Sequence, residues 1–345
     1  MSTVRALVST VGLALGCLAG AGAALAAGAA VATYGSQDVS SYGPGPRSFT
    51  VETVKAVEHK SVQPRKRLRR NSLSVASKSG LRETPDPLEL SSSVAYMVDQ
   101  DTGEVYFEKN AYIQLPIASV TKLMTALVIA QSELPLKTKL KVTRADYVKS
   151  TADSKLRSGM VLTREDTLRA ALMSSDNRAA HMLARTYPGG VKVFVEKMNE
   201  TARELGMHDS HFTDPTGLSN ENVSTAHDLA ILAARVHEYP FLAKASTGAV
   251  ALINTGASKL SLMTTNRLIG DPRWKVGLQK TGYTRAAGRC MVVQSEFAGH
   301  RVVMVVLDSE TNGKRANDML KMRRWLEDEV RFEDQFANVA PFALM

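Results

Sequence analysis

Residues 117–130 read IASVTKLMTALVIA, an apolar stretch of helical length with a serine and a lysine three positions apart near its start. On a helix, Ser119 and Lys122 share a face and lie within mutual reach. The rest of the chain reads as serving that turn. A serine hydroxyl is a weak nucleophile until a neighbour takes its proton. A lysine takes it only when its pKa of about 10.4 is lowered by desolvation or positive neighbours. Leu123, Met124, Leu127, Val128 and Ile129 supply the dry surroundings. At the helix start, free backbone N–H groups and the positive dipole end favour a developing oxyanion near Ser119. Taken alone, the triplet also describes an ordinary amphipathic helix, because Ser-x-x-Lys arises by chance about once in a chain of this length.

The chain's 345 residues, 44% hydrophobic, fill one large domain or two small ones. Net charge is +9, but residues 1–80 hold ten basic and three acidic residues, which leaves only +2 for the other 265. That distribution argues against a nucleic-acid-binding domain, where the basic excess belongs on the folded part. Arg5 is followed by no charged residue until Asp38; residues 11–18 are apolar, and Ala24-Leu25-Ala26 is an A-x-A signal. We read residues 1–26 as a cleaved export signal that places the protein in the periplasm, the alternative being a retained N-terminal membrane anchor. Cys17 lies in that leader and Cys290 in a strand-like run, so no internal disulfide is expected and Cys290 reads as a small buried apolar residue. Residues 27–88, rich in Gly, Pro, Ser and basic residues, carry no sustained apolar period and read as a linker. Its cluster RKRLRR at 65–70 is either an electrostatic tether to anionic membrane or wall polymer or a solvated run that keeps the segment extended.

A folded domain is expected over 89–345. Residues 93–98 and 104–107 flank a turn and predict a hairpin just before the Ser119 helix. Thr163 followed by Asp166 predicts a helix start that runs to Met173, and helices are further expected at 179–185, 191–205, 225–237 and 317–330. Gly206 is placed to end the helix over 191–205. Residues 275–283, 288–296 and 300–307 are strand-like, and 301–307 is apolar on both faces apart from Arg301, as suits a strand in the middle of a covered sheet.

Two more polar clusters fall where the chain changes structure. Ser175-Asp176-Asn177 sits at a break between helices, 56 residues after Ser119, and Lys280-Thr281-Gly282 sits on an expected strand, 161 residues after it. Ser175 is placed to relay a leaving-group proton, and Asn177 to hold a substrate amide while positioning Lys122. Lys280 is placed to fix an anionic group and help depress the pKa of Lys122, Thr281 to add a hydroxyl donor, and Gly282 to let substrate approach the strand closely. Each cluster alone has a plain reading, a helix cap for Ser-x-Asn and chance for Lys-Thr-Gly, since 78–80 reads Lys-Ser-Gly.

In this order and setting, the three clusters resemble those of the penicillin-recognising serine enzymes. The runs KTGYTRAAGRC and HFTDPTGLSNENVSTAHDLA are similar to the low-molecular-mass D-alanyl-D-alanine carboxypeptidases and endopeptidases. The resemblance implies an α+β fold of the serine β-lactamase and transpeptidase type, a central antiparallel sheet flanked by helices with an all-helical subdomain. It makes Ser119 the acyl-forming nucleophile, Lys122 its proton acceptor, Ser175 and Asn177 the second catalytic cluster, and Lys280 and Thr281 the carboxylate site. The oxyanion hole becomes the backbone N–H groups of Ser119 and Tyr283. The implied partners are peptidoglycan peptide stems and β-lactam inhibitors. The carboxypeptidases of this family carry a further β-rich domain, for which the 63 residues after Gly282 leave no room, so an endopeptidase cutting D-alanyl to meso-diaminopimelate cross-bridges is expected over a carboxypeptidase trimming terminal D-alanine.

Rival readings remain. A class A β-lactamase needs a deacylating glutamate, for which Glu196, with Asn199 three residues on, is the nearest candidate, though more simply a solvated side chain. A non-catalytic wall-binding scaffold is expected to lack a catalytic residue, and none is missing. The seven histidines include no His-Glu-x-x-His, and neither metal nor other cofactor is expected.

Overall fold

The computed structural model describes residues 73–337, apart from 151, 257 and 298. The expected export signal with Cys17, and the cluster at 65–70, lie outside the described residues. Among the described residues no helix is long and apolar enough to cross a membrane.

Order begins well before residue 89, where the sequence places the start of the domain. Ser74 caps a short helix, α1 (Val75–Lys78), by accepting from Ser77 N, and Ala76 inserts into the main core. Val75 N bonds Ala286 O at 2.9 Å, Arg82 pairs with Asp308 at 2.9 Å, and Lys109 pairs with Asp86 at 2.8 Å, both side chains of that last pair being buried. The segment 73–90 is thus a strap held by single anchors, which is why it shows no apolar period.

The hairpin expected around 99–103 is present: β1 (Val94–Asp99) pairs with β2 (Val105–Lys109). Asp99 Oδ1 accepts from the N–H groups of Asp101 and Thr102, and Gly103 takes the left-handed conformation that completes the turn. A two-residue strand, β3 (Leu115–Pro116), leads through a 3-10 turn, Ala118–Thr121, into α2 (Lys122–Gln131). Every residue of α2 from Lys122 to Ile129 is buried, as an all-round apolar helix demands. Next come β4 (Lys139–Lys141), β5 (Val161–Thr163) and α3 (Arg164–Met173), whose first turn is capped by Thr163 accepting from Asp166 N. Helices α4 (Asn177–Arg185) and α5 (Gly190–Glu204) follow, the latter ending before Gly206 at φ +75°. Strand β6 (Val223–Ser224) pairs with β3 and precedes α6 (Ala226–His237).

Helix α7 (Pro240–Thr247) and the hairpin of β7 (Val250–Asn254) and β8 (Lys259–Met263) are additions to the elements expected from sequence. The remaining strands are β9 (Lys275–Thr284), β10 (Gly288–Phe297) and β11 (His300–Ser309), and α8 (Asn312–Ala337) closes the described chain. The main sheet has the order β2-β1-β11-β10-β9, all neighbours antiparallel. The last strand therefore lies between the first and β10, and its buried run from Val302 to Ser309 suits that central place. Alternate residues of β11 serve two cores. Val303, Val305 and Leu307 join the larger, helix-filled one; Val302, Met304 and Val306 join Met319, Met322 and Leu326 of α8 in the smaller. Helices α3, α4 and α5 gather around α2 to one side of the sheet, and α6 lies between them and the strands.

Candidate active site

Ser119 lies in the 3-10 turn rather than in the α-helix that the sequence suggests. The i, i+3 relation survives, because side chains three apart eclipse in a 3-10 turn. Ala118, just before the serine, sits at φ +48°, a conformation that costs a non-glycine residue about 1–2 kcal/mol. A clamp from the loop 207–224 holds it there. Ile117 N bonds Asn222 O at 3.1 Å, Asn222 Nδ2 donates to Thr121 Oγ1, and Thr125 Oγ1 donates to Pro215 O at 2.6 Å. Asp214 shapes the loop by accepting from the backbone N–H groups of Thr216, Gly217 and Ser219. Gly217 is obligatory: at φ +79°, a Cβ there would stand 1.9 Å from Ala118 O.

Lys122 is fully buried, and its Nζ donates to Ser119 Oγ at 2.9 Å, Asn177 Oδ1 at 2.7 Å and Thr216 O at 2.6 Å. Burial pushes its pKa down to about 7, against the opposing pull of Asp214 and Asp176. The amine is therefore poised between its two protonation states near neutrality and bonded to the hydroxyl it would deprotonate.

The second cluster sits on a strained corner. Ser175, between α3 and α4, has φ +59°; Asp176 caps α4 by accepting from Ala179 N; and Asn177, the first residue of α4, also donates through Nδ2 to Ser150 Oγ at 3.0 Å. Lys280, buried in β9, donates to Ser175 Oγ at 2.9 Å and to Thr281 O at 2.7 Å. Its pKa is held well below the ordinary lysine range, first by burial and then by the positive charges of Lys122 and Arg315. Burial is the first cause of the low pKa of Lys122, and repulsion between the ammonium groups of Lys122 and Lys280, which the sequence anticipates, disfavours charging both together.

Strand β9 is an edge strand, and at Gly282 it abuts the serine turn. A Cβ at Gly282 would stand 2.9 Å from Ile117 O and 3.2 Å from Ser119 N. The glycine is thus needed by the protein's own backbone, a different reason from the substrate access inferred from sequence. The contact brings the free edge of β9, which leads into Tyr283, beside the backbone N–H of Ser119. Thr281 Oγ1 lies 2.6 Å from Thr265 Oγ1, and the half-exposed Tyr283 ring stacks under the Arg289 guanidinium at 4.5 Å.

The structure brings Ser119, Lys122, Asn177 and the Thr216 carbonyl into one hydrogen-bonded set, and Ser175, Lys280 and Thr281 into a second. Sequence reasoning missed Thr216, Asp214 and Asn222; the Asp-Pro-Thr-Gly run was the available signal, and it reads as a turn. Glu196 is exposed on α5, while Asn199 is bonded to the Phe212 backbone, so that pair supplies no deacylating base beside Ser119.

A family model described as D-alanyl-D-alanine carboxypeptidase matches residues 81–311. The chain is 41% identical over 260 residues to a D-alanyl-D-alanine endopeptidase of Pseudomonas aeruginosa, covering 74% of this chain and 83% of that protein. It is 38% identical to a D-alanyl-D-alanine endopeptidase of Escherichia coli, covering 73% and 82%. Penicillin-binding protein D2 of Listeria monocytogenes, solved in its cefotaxime-bound form, superposes with a TM-score of 0.63 at 30% identity, covering 70% of this chain and 99% of that one.

Proposed function

Because the chain belongs to the D-alanyl-D-alanine carboxypeptidase family of serine peptidases, we propose that it is a D-alanyl-D-alanine endopeptidase that opens peptidoglycan cross-bridges through an acyl-serine intermediate. The observation that carries the chemistry is the buried Lys122 Nζ, 2.9 Å from Ser119 Oγ. The neutral amine takes the hydroxyl proton as Oγ bonds to the carbonyl carbon of a D-alanine residue. The backbone N–H groups of Ser119 and Tyr283 hold the oxyanion, an arrangement in which one donor is worth about a hundredfold to a thousandfold in rate. Collapse breaks the C–N bond, and the proton passes by way of Ser175 to the departing amine. Water then attacks the ester, returns a proton to Ser119 and frees the acid. Lys280 and Thr281 hold the carboxylate on the leaving side, and Asn177 fixes both Lys122 and the substrate amide.

The choice of endopeptidase over carboxypeptidase rests on the relatives that share this chain's sequence over most of their length. Digestion of purified cross-linked muropeptide dimers tests it. Conversion to monomers is expected; loss of terminal D-alanine alone, with dimers intact, overturns it. β-Lactams acylate the same serine, as the cefotaxime and ampicillin forms of the Listeria protein suggest. The leader at residues 1–26 supports action in the periplasm, where N-terminal sequencing of the exported protein is expected to begin after Ala26 and an intact Met1 would contradict cleavage.

A further inference from the structure

Between a 3-10 turn at Arg144–Asp146 and the first turn of α4 lies a cavity of about 340 Å³, walled by Thr143, Arg144, Tyr147, Ser158 and Arg178. Pockets that hold small molecules start at about 300 Å³, so it has room for one sugar-sized ligand. Its walls are held by the backbone. Val142 N bonds Met160 O at 2.8 Å and Gly159 N bonds Val142 O at 2.9 Å, which joins the segment carrying Thr143 to the one carrying Ser158. The lining is mostly apolar, because an arginine covers a wall with its methylene stem and keeps its charge at the rim. The Arg178 guanidinium stands over the Tyr147 ring, 5.0 Å from its centroid, and fixes it. Tyr147 is nonetheless 68% exposed, so ring area remains for a ligand.

The charge at this cavity has one sign. No acidic residue lines it. Asp146, in the same turn, is buried and compensated: it accepts from Arg185 Nε and Nη2, from Thr143 N and from Thr143 Oγ1. The Arg144 guanidinium and the Ser158 hydroxyl have no hydrogen bond or ion pair among the described residues. Arg178 gives one of its five N–H donors to Leu156 O and keeps the rest. The surroundings agree: residues 137–160 hold seven basic and two acidic residues, net +5, whereas 81–345 as a whole carries +2. The attraction is therefore for an anion, and the ring calls for a ligand with an apolar face.

We propose that this cavity binds a phosphorylated sugar, at a site separate from that of Ser119. A phosphate monoester carries a charge of about −1.5 to −2 at neutral pH, which matches two guanidinium groups better than the single charge of a carboxylate does. Arg144 and Arg178 take it through their planar N–H forks, and Ser158 adds a hydroxyl donor. The C–H face of the sugar lies on the Tyr147 ring, whose face is electron-rich. A phospholipid surface answers the charge but offers nothing to the ring. Arg178 directly follows Asn177, and Tyr147 stands three residues before Ser150, which accepts from Asn177 Nδ2 at 3.0 Å. A saccharide bound here therefore lies beside the catalytic corner.

The test is calorimetric titration of the full chain at about 0.15 M salt with N-acetylglucosamine 6-phosphate, N-acetylglucosamine and inorganic phosphate, beside sedimentation with phosphatidylglycerol vesicles. The sugar phosphate is expected to bind about tenfold or more tightly than either the sugar or inorganic phosphate. Arg144→Gln should weaken it about fivefold. Tyr147→Ala should weaken it about threefold and leave inorganic phosphate unaffected. Lys139→Gln, the same charge change on β4 outside the cavity, should cost less than about twofold. Arg144 and Tyr147 are exposed, so the melting temperature should stay within about 2 °C in both variants. No binding of the sugar phosphate, equal binding of sugar and sugar phosphate, or equal losses in Lys139→Gln and Arg144→Gln overturns the proposal. Vesicle binding that Arg144→Gln abolishes, with none to the sugar phosphate, overturns it in favour of a membrane surface. None of these readouts depends on Ser119, so the endopeptidase reading stands or falls separately.

Discussion

With its three donors taken by Ser119 Oγ, Asn177 Oδ1 and the Thr216 carbonyl, Lys122 has no room for water, and that exclusion sets its chemistry. A base with a pKa of about 7 makes acylation depend on pH. The rate constant for penicillin acylation is expected to rise about tenfold per pH unit below that value and to level off above it. Lys122→Met should lose about a hundredfold to ten-thousandfold of this rate. Stability carries the same signature with a definite sign. The folded pKa lies below the unfolded value of 10.5, so between pH 7 and 10.5 the unfolded chain binds more protons at this residue and stability rises with pH. Urea unfolding at several pH values checks this: Lys122→Met should show a flatter rise over that window, and an unchanged slope would place the low pKa elsewhere. Identities at this scale were legible in the sequence, because Ser119, Lys122, Ser175, Asn177, Lys280 and Thr281 carry side-chain chemistry at fixed spacings. Asp214 and Asn222 were not, because their role is to satisfy backbone groups of a loop whose path no local pattern specifies.

Among the elements, the 3-10 turn of the serine is caught between the loop 207–224 and strand β9. Gly282 is the contact on the strand side, where a methyl group would press on Ile117 O and Ser119 N. Gly282→Ala should keep the fold, since the strand conformation suits alanine, while lowering the acylation rate by about tenfold or more as the strand shifts from the turn. A melting curve beside the acylation rate separates the two effects; full activity in this variant would show that strand and turn need not touch so closely. On the other side of the sheet, the strap depends on Asp86. Asp86→Ala strands the buried Lys109 ammonium and should destabilise the protein by about 3 kcal/mol, lowering the melting temperature by about 6–12 °C. A change within about 2 °C would mean that Lys109 finds another partner. Long periodic elements such as β9, β10, β11 and α5 could be read from sequence. The strap could not, since its anchors are single residues such as Ala76, Arg82 and Asp86. Helix α8 starts five residues earlier than expected because Thr311 Oγ1 accepts from Lys314 N across a first turn that contains Gly313.

At the scale of the whole molecule, inserting β11 between β1 and β10 joins the two ends of the described chain into one sheet, with α8 on one face and the helices that hold the active site on the other. The central place of β11 was legible from its two-sided apolar run, whereas the hairpin of β7 and β8 was not: its inward residues Ala251, Ile253, Leu260 and Leu262 alternate with the exposed apolar Val250, Leu252 and Met263, which blurs the two-residue period. In the proposed mechanism the sheet supplies the carboxylate site through β9 and the helical layer supplies nucleophile and base, so the reaction needs both layers. The most direct test of that account is the intact mass of the purified full chain after incubation with penicillin, beside Ser119→Ala. One penicillin per chain on the parent, persisting for hours, and none on the variant is the result expected of an acyl-serine peptidase. An adduct on both chains, or on neither with the drug left uncleaved, would contradict it.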